Sequence, residues 1–203
     1  MEYTPQMVQI KEVIIDLLKK TKRKGIAALI TYLEESDFFE APASTKFHGS
    51  YAGGLAEHSL NVYNALEFHY ANLKDSDFNL PNIPDDSRII VALLHDLCKI
   101  NTYKMGTRWT KDDNNKWIEV PEYKREPLLA MGHAGKSIFI AQQFIKLSAD
   151  EAEAIFWHMG AYDLSLYMTL NELGQAYSNN LLAFLLHQAD MTCTYINENE
   201  KYL

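Results

Sequence analysis

A near-unbroken apolar run, Ile89-Ile90-Val91-Ala92-Leu93-Leu94, leads straight into the polar pair His95-Asp96. A helix that is apolar on every side has to lie at the centre of a fold, because none of its faces gains from water. Asp85, Asp86 and Ser87 ahead of the run offer a cap and acidic first-turn charge, so the helix is expected to begin there. His95 and Asp96 then stand at the end of a buried helix. A carboxylate in that position is costly unless something pairs with it. The chain has to bring partners for Asp96 from elsewhere.

The candidate partners are single residues far apart in the chain: His58, His133, His158 and Asp190. No local motif joins them, so only folding can bring them together. Imidazole nitrogens with carboxylate oxygens form the mixed donor set that borderline divalent transition metals prefer. The two cysteines, Cys98 and Cys193, make no CxxC pair and no disulfide framework. They read as small core fillers.

The rest of the chain is patterned mostly for helices. Thr4-Pro5 is an N-cap and first-turn pair, and Ile10, Val13, Ile14, Leu17 and Leu18 then recur at helical spacing. This helix is expected to close on the basic run Lys19 to Lys24, with Gly25 as its stop. That run reads either as a solvated helix end complementing the dipole or as a nucleic-acid patch. Further helices are expected over 26–35, 55–73, 85 through His95, 133–147, 148–158 and 178–197. Ser148 with Glu151 offers a capping box. Residues 37–54, with Pro42 and three glycines, read as an irregular loop. Between Tyr103 and Tyr123, Trp109 and the run Trp117-Ile118-Glu119-Val120 flank a polar turn and predict a β-hairpin. The expected fold class is all-α, a helical bundle with a small β-hairpin insertion at 103–123, forming one domain over residues 1–203.

The net charge of −8 argues against duplex nucleic acid as a partner, which requires a broad basic surface. The N-terminal segment is charged early and has no signal-like run, and no stretch reaches the roughly 20 apolar residues that cross a bilayer. A cytoplasmic location without a membrane partner is the expectation. Oligomeric state is left open. From Lys99 to Arg125 seven Lys or Arg stand against four Asp or Glu, a local positive excess. If the hairpin covers the site, Arg108 and Trp109 are placed to grip a phosphate and stack a base. Otherwise the tryptophans anchor a solvated hairpin to the core.

Five segments together carry a family resemblance. Gly53-Gly54-Leu55-Ala56-Glu57-His58-Ser59, Leu94-His95-Asp96-Leu97-Cys98-Lys99-Ile100, Met131-Gly132-His133, Trp157-His158-Met159-Gly160 and His187-Gln188-Ala189-Asp190 resemble the motifs of the HD superfamily of metal-dependent phosphohydrolases. They stand in that family's order, over residues 45–195. Within the superfamily the closest likeness is to the HD domain of bacterial 3′–5′ exoribonucleases. Trp157 stands where some relatives carry a further histidine.

The resemblance implies an HD-domain helical bundle and an enzyme that hydrolyses a phosphoester or phosphodiester of a nucleotide or a short single-stranded oligonucleotide. It implies that His58, His95, Asp96 and Asp190 hold one divalent transition metal ion. Asp96, His133 and His158 would hold a second, with Asp96 bridging. Mn, Fe, Co, Ni and Zn all suit such ligands. Two ions about 3.5–4 Å apart share a hydroxide and clamp a phosphoryl group. Asp96 and Lys99 are then the catalytic residues, with Lys99 also set against a phosphate oxygen; the plainer reading of Lys99 is a partner of the helix dipole.

Other residues carry two readings. His48 either donates to a substrate phosphate or is a loop residue. Glu57 either orients a metal-bound water or is a surface carboxylate. His69 is about 16 Å along the helix from His58, too far to share a site. His187, three positions before Asp190, suits a core or supporting role more than direct ligation, and Tyr162 and Asp163 are candidates for the pocket wall. Two other functions use the same residues: a nucleotide- or metal-sensing HD module without turnover, and a di-iron oxygenase on the same fold. Lys99 and the basic hairpin favour a small phosphorylated substrate.

Overall fold

The computed structural model describes residues 3–163, 169–199 and 201–202. Its helices are α1 (Pro5–Lys20), α2 (Ile26–Glu35), α3 (Gly54–Lys74), α4 (Asp85–Leu94), α5 (His133–Gln142), α6 (Ala149–Trp157), α7 (Leu170–Asn179) and α8 (Leu181–Thr192). Strands β1 (Tyr103–Lys111) and β2 (Trp117–Arg125) form one antiparallel hairpin, paired from Tyr103↔Arg125 to Lys111↔Trp117. The chain is therefore mostly helical, with a single two-stranded sheet among the described residues. None of those helices is long and apolar enough to cross a membrane.

Helix α4 is the central element. Every residue from Ser87 to Leu94 is buried, and the helix packs against α1, α3, α6 and α8. Arg88 is the charged exception. Its guanidinium donates to Glu67 at 2.6 and 3.1 Å, to Asp85 at 2.9 Å and to the Ile83 carbonyl at 2.5 Å, and it lies over the Tyr70 ring. A buried cation survives because each of its three nitrogens finds an acceptor. Directly after α4 comes a 3₁₀ turn, Leu97–Lys99, so Lys99 sits on a separate turn and not on a continued helix.

Several boundaries differ from the sequence expectation, each for a local reason. Helix α1 ends at Lys20, and Gly25 starts α2 as its N-cap with φ 91°. A Cβ on Gly25 would lie 1.9 Å from the Phe144 carbonyl oxygen, so only glycine permits that entry. Helix α5 ends at Gln142, short of 147, and Ser148 opens α6 with the expected capping box. The terminal helix begins at Leu181 because Asn180 intervenes. Its side chain accepts from the Leu182 and Ala183 amides and donates to the Asp150 carbonyl and to Glu153. Ahead of it stands α7, which the sequence reading omits; a Thr169–Glu172 capping box starts it. Both hairpin tryptophans are about two-thirds exposed, Trp109 at 63% and Trp117 at 64%, so they do not anchor the hairpin to the core.

The basic end of α1 has a structural role. Arg23 donates to Asp86 at 2.8 and 2.9 Å and to both oxygens of the fully buried Glu151. It ties the α1–α2 turn to the N-termini of α4 and α6. Arg23→Met leaves the Glu151 charge buried without its cation and should lower the unfolding free energy by about 3 kcal/mol. Lys11→Met breaks the more exposed Lys11–Glu34 pair and should change it by less than about 1 kcal/mol. Urea unfolding of the two variants measures the difference; equal losses would contradict the role given to Arg23.

Candidate metal centre

Five elements converge on Asp96. Helix α3 supplies His58 and α8 supplies Asp190. His95 caps the C-terminus of α4, His158 caps that of α6, and His133 begins α5. The last carbonyls of a helix have no partner within it. His95 Nδ1 donates to the Ala92 carbonyl at 2.8 Å, and His158 Nδ1 donates to the Ile155 carbonyl at 2.6 Å. Each bond fixes the tautomer and turns an Nε2 lone pair inward. His187 Nδ1 in turn donates to the His158 carbonyl at 2.7 Å, the supporting role expected of it.

The two oxygens of Asp96 face different histidines. Oδ2 lies 3.4 Å from His95 Nε2 and 3.7 Å from His58 Nε2. Oδ1 lies 2.7 Å from His133 Nε2 and 3.8 Å from His158 Nε2. Asp190 Oδ1 closes the first side, 3.2 Å from His58 Nε2. Neighbouring ring centroids fall 5.4, 4.9 and 5.2 Å apart along His58, His95, His158 and His133, an arc of imidazoles around one carboxylate.

His95 Nε2 and His158 Nε2 are buried and have no hydrogen-bond partner among the described residues. Folded proteins pair nearly all such atoms. Here their lone pairs point into shared space. The sets His58/His95/Asp190, His95/Asp96/His158 and Asp96/Cys98/His133 each bring one donor atom per residue within 4.8 Å of the others. A divalent cation is the species that satisfies several converging lone pairs at once, and this nitrogen–oxygen set suits a transition metal.

Without a metal, ion pairing inside the cluster sets the charge states. Burial favours a protonated Asp96, but Lys99, His95 and His133 outweigh it and hold the carboxyl well below its ordinary range. The Lys99 ammonium sits 2.6 Å from Asp96 Oδ2. Burial would lower His58, yet Asp190 and Glu198 raise it to about 9. His133 is likewise opposed by burial and raised to about 10 by Asp96 and Cys98. His158 goes the other way, to about 3, through burial and then the neighbouring His95 and His133.

Two contributors escaped the sequence reading. Glu198 accepts from His58 Nδ1 at 3.0 Å and from Asn61 Nδ2 at 2.9 Å. A π-helical turn, Cys193–Asn197, carries it back to α3. Its only sequence signal is a polar run after Asp190, which is too common to read. Cys98, expected as a core filler, joins Asp96 and His133 in one donor set.

The remaining candidates divide by position. The His48 ring lies 4.7 Å from that of His58, and neither of its nitrogens has a partner among the described residues. Its loop folds onto the start of α3 so closely that a Cβ on Gly54 would meet the Gly49 carbonyl oxygen at 2.1 Å. Arg108 stands apart from the imidazole arc. It pairs with Glu122 at 3.4 Å and lines a cavity of about 400 Å³ between the hairpin and the His48 loop, with Thr45, Lys46, Ser50 and Tyr123. Glu57 accepts from Gln6 and Tyr51. His69 meets Thr192, away from the cluster, and Tyr162 is 70% exposed.

No family model, no curated protein and no solved structure matches this chain.

Glu198→Gln removes the carboxylate behind His58 and should weaken binding of zinc or cobalt 10- to 100-fold, as loss of such outer partners does. Calorimetric titration checks this, and unchanged affinity would count against Glu198. The metal-free protein should also show a pH signature. His58 and His133 both titrate above the ordinary imidazole value of 6.5, so their imidazolium forms stabilise the fold fully below that pH. This stabilisation is lost as pH rises through about 9 and about 10. Melting temperature of chelator-treated protein should therefore fall across that range; a flat profile would contradict the pairing.

Proposed function

We propose that this chain is a metal-dependent phosphohydrolase of the HD type, acting on a nucleotide or a short single-stranded oligonucleotide. One observation carries the reading: the two oxygens of a single buried Asp96 face two different groups of histidine nitrogens, and His95 Nε2 and His158 Nε2 among them have no other partner among the described residues. That is the ligand arrangement for two cations sharing one carboxylate. His58, His95, Asp96 and Asp190 would hold the first, and Asp96, His133 and His158 the second. The order of the five motif segments along the chain supports the same assignment. A bound pair of divalent transition metal ions supplies a water of lowered pKa and neutralises phosphoryl oxygens.

The chain's own residues supply the rest. Asp96 is the shared ligand, and its burial at the end of the rigid helix α4 fixes the spacing of the two positions. Lys99, largely buried beside Asp96, keeps a cation at the edge of the cluster where a non-bridging phosphate oxygen would arrive. His48 presents unpaired nitrogens beside His58 and would donate to the substrate phosphate. Arg108, with Lys46 across the adjoining cavity, would hold a more distant part of the substrate. The local positive excess of the hairpin draws an anionic substrate to a chain whose net charge is −8.

Metal analysis of purified protein should give close to two ions per chain. A screen of nucleotides, cyclic nucleotides and short RNAs with Mn, Fe, Co, Ni and Zn should then reveal phosphate-ester cleavage. Asp96→Asn should reduce turnover at least about 100-fold, since loss of mere outer partners already costs 10- to 100-fold. Its far-UV circular dichroism should remain helical. Bound metal without turnover of any phosphate ester would favour a sensing module, and oxygen consumption by the iron form would favour an oxygenase. Absence of metal uptake would remove the phosphohydrolase and the oxygenase together.

A further inference from the structure

The hairpin carries two large rings that the core does not use. Trp109 is 63% exposed, Trp117 64% and Met105 60%. Side chains alternate between the faces of a strand, and directly opposed residues of an antiparallel pair share a face. The register Tyr103↔Arg125, Met105↔Tyr123, Trp109↔Glu119 and Lys111↔Trp117 therefore sets both tryptophans on one face, together with Tyr103, Tyr123 and Met105. Residues on that face recur about every 7 Å along each strand, a step that one nucleotide of an extended single strand can match.

The inner end of this strip adjoins the candidate metal centre. Tyr103 donates to the Ala43 carbonyl at 3.4 Å, and its phenol, pushed up by burial, lies close enough to Lys99 to be opposed by that ammonium. Lys99 in turn sits 2.6 Å from Asp96 Oδ2. Next outward, Met105, Pro121 and Tyr123 line the cavity of about 400 Å³ that they share with Lys46 and Ser50. Trp109 stands about 20 Å along the strand from Tyr103, at about 3.4 Å per residue. Cations flank the rings. Arg125 opposes Tyr103, and Lys111 Nζ is 5.5 Å from the centre of the Trp117 ring. Glu119, the one carboxylate on this face of the two strands, accepts from Thr107.

We infer that this face of the hairpin binds single-stranded nucleic acid, stacking bases on Trp109 and Trp117 and leading the strand past Tyr123 and Tyr103 toward the metal centre. The substrate is then an oligonucleotide and not a mononucleotide. Exposed rings beside cations take bases by stacking and phosphates by charge. A duplex keeps its base faces within its own stack and offers the rings nothing. A purely apolar partner would bury Lys111 and Arg125 without counter-charges. Cleavage at the inner end rests on the proposed function, whereas binding along the face does not.

Binding is measured on the full chain without metal, so that no cleavage intervenes. Chelator-treated protein should bind a fluorescein-labelled single-stranded RNA of about eight nucleotides, a length within the range of such surfaces. Tryptophan emission should be quenched, and affinity should fall as salt rises. The matching duplex should bind at least about tenfold more weakly. Trp109→Ala and Trp117→Ala should each weaken single-strand binding about tenfold, and Trp109→Phe, which keeps a ring, should recover most of it. Both rings are exposed, so the truncations remove little packing and circular dichroism should stay helical. No binding by the parent protein, equal binding of the duplex, or full affinity in both alanine variants would overturn the inference and leave the metal centre standing. Variants that dissolve a dimer in sedimentation without loss of RNA affinity would mark the face as a contact between copies and also overturn it. With metal restored, a KM for a mononucleotide ester no higher than that for the oligonucleotide would overturn the substrate assignment. RNA binding without cleavage of any phosphate ester would sink the proposed function but not the hairpin surface. The parent protein's binding decides the matter even if a variant fails to fold.

Discussion

A carboxylate buried at the end of the most apolar helix is the constraint on which the rest of this structure depends. Asp96 is only 2% exposed. An unpaired charge there costs several kcal/mol, more than any surface contact returns. The fold answers with imidazoles on both sides of the carboxylate and the Lys99 ammonium against Oδ2. Helices α3, α5, α6 and α8 each deliver one polar group to this place, and each packs by its apolar face into the core that surrounds α4. The centre and the core are thus held by the same packing.

The second layer shows how helix ends serve a site. A helix terminus leaves carbonyls without partners, and His95 and His158 use those carbonyls to orient their rings. One bond satisfies an orphan acceptor and aims a lone pair inward. His58 lies within a helix and has no such carbonyl to use, so a carboxylate arrives from the far end of the chain instead. At His133 the neighbour is sulfur. Three different solutions fix four rings, and two of the three draw on residues with no recognisable motif.

The hairpin and the loop around His48 form the outer rim. Lys46 reaches Glu122 across the cavity at 3.2 Å, and Tyr103 donates to the Ala43 carbonyl at 3.4 Å, so the hairpin leans on the loop. With both tryptophans exposed, the hairpin turns aromatic and cationic surface to solvent. On the proposed function this rim would meet the substrate first, while Asp96 and the histidines around it lie deeper in the fold.

How much of this was legible follows from the range of each signal. The apolar run before His95 names the central helix, because a segment without a polar face has only one place to go. His58, His133, His158 and Asp190 are legible as residue types suited to a metal and as ordered motif segments. The α7 helix was legible in its Thr169–Glu172 cap and in Leu170, Leu173, Ala176 and Tyr177 at helical spacing, but that stripe is short and only Ala176 of it is fully buried. Glu198 had no signal, because a carboxylate in a polar tail means nothing until a π-helical turn sets it against His58. Cys98 had the wrong one, since a small buried thiol beside apolar neighbours looks like filler until His133 is known to lie over it. The sequence by itself determined which chemistry was possible and which helix had to be central, as local pattern and side-chain type express both. Only the tertiary structure decided that Asp96 faces two groups of nitrogens with its separate oxygens, because that depends on the angles at which five distant segments cross.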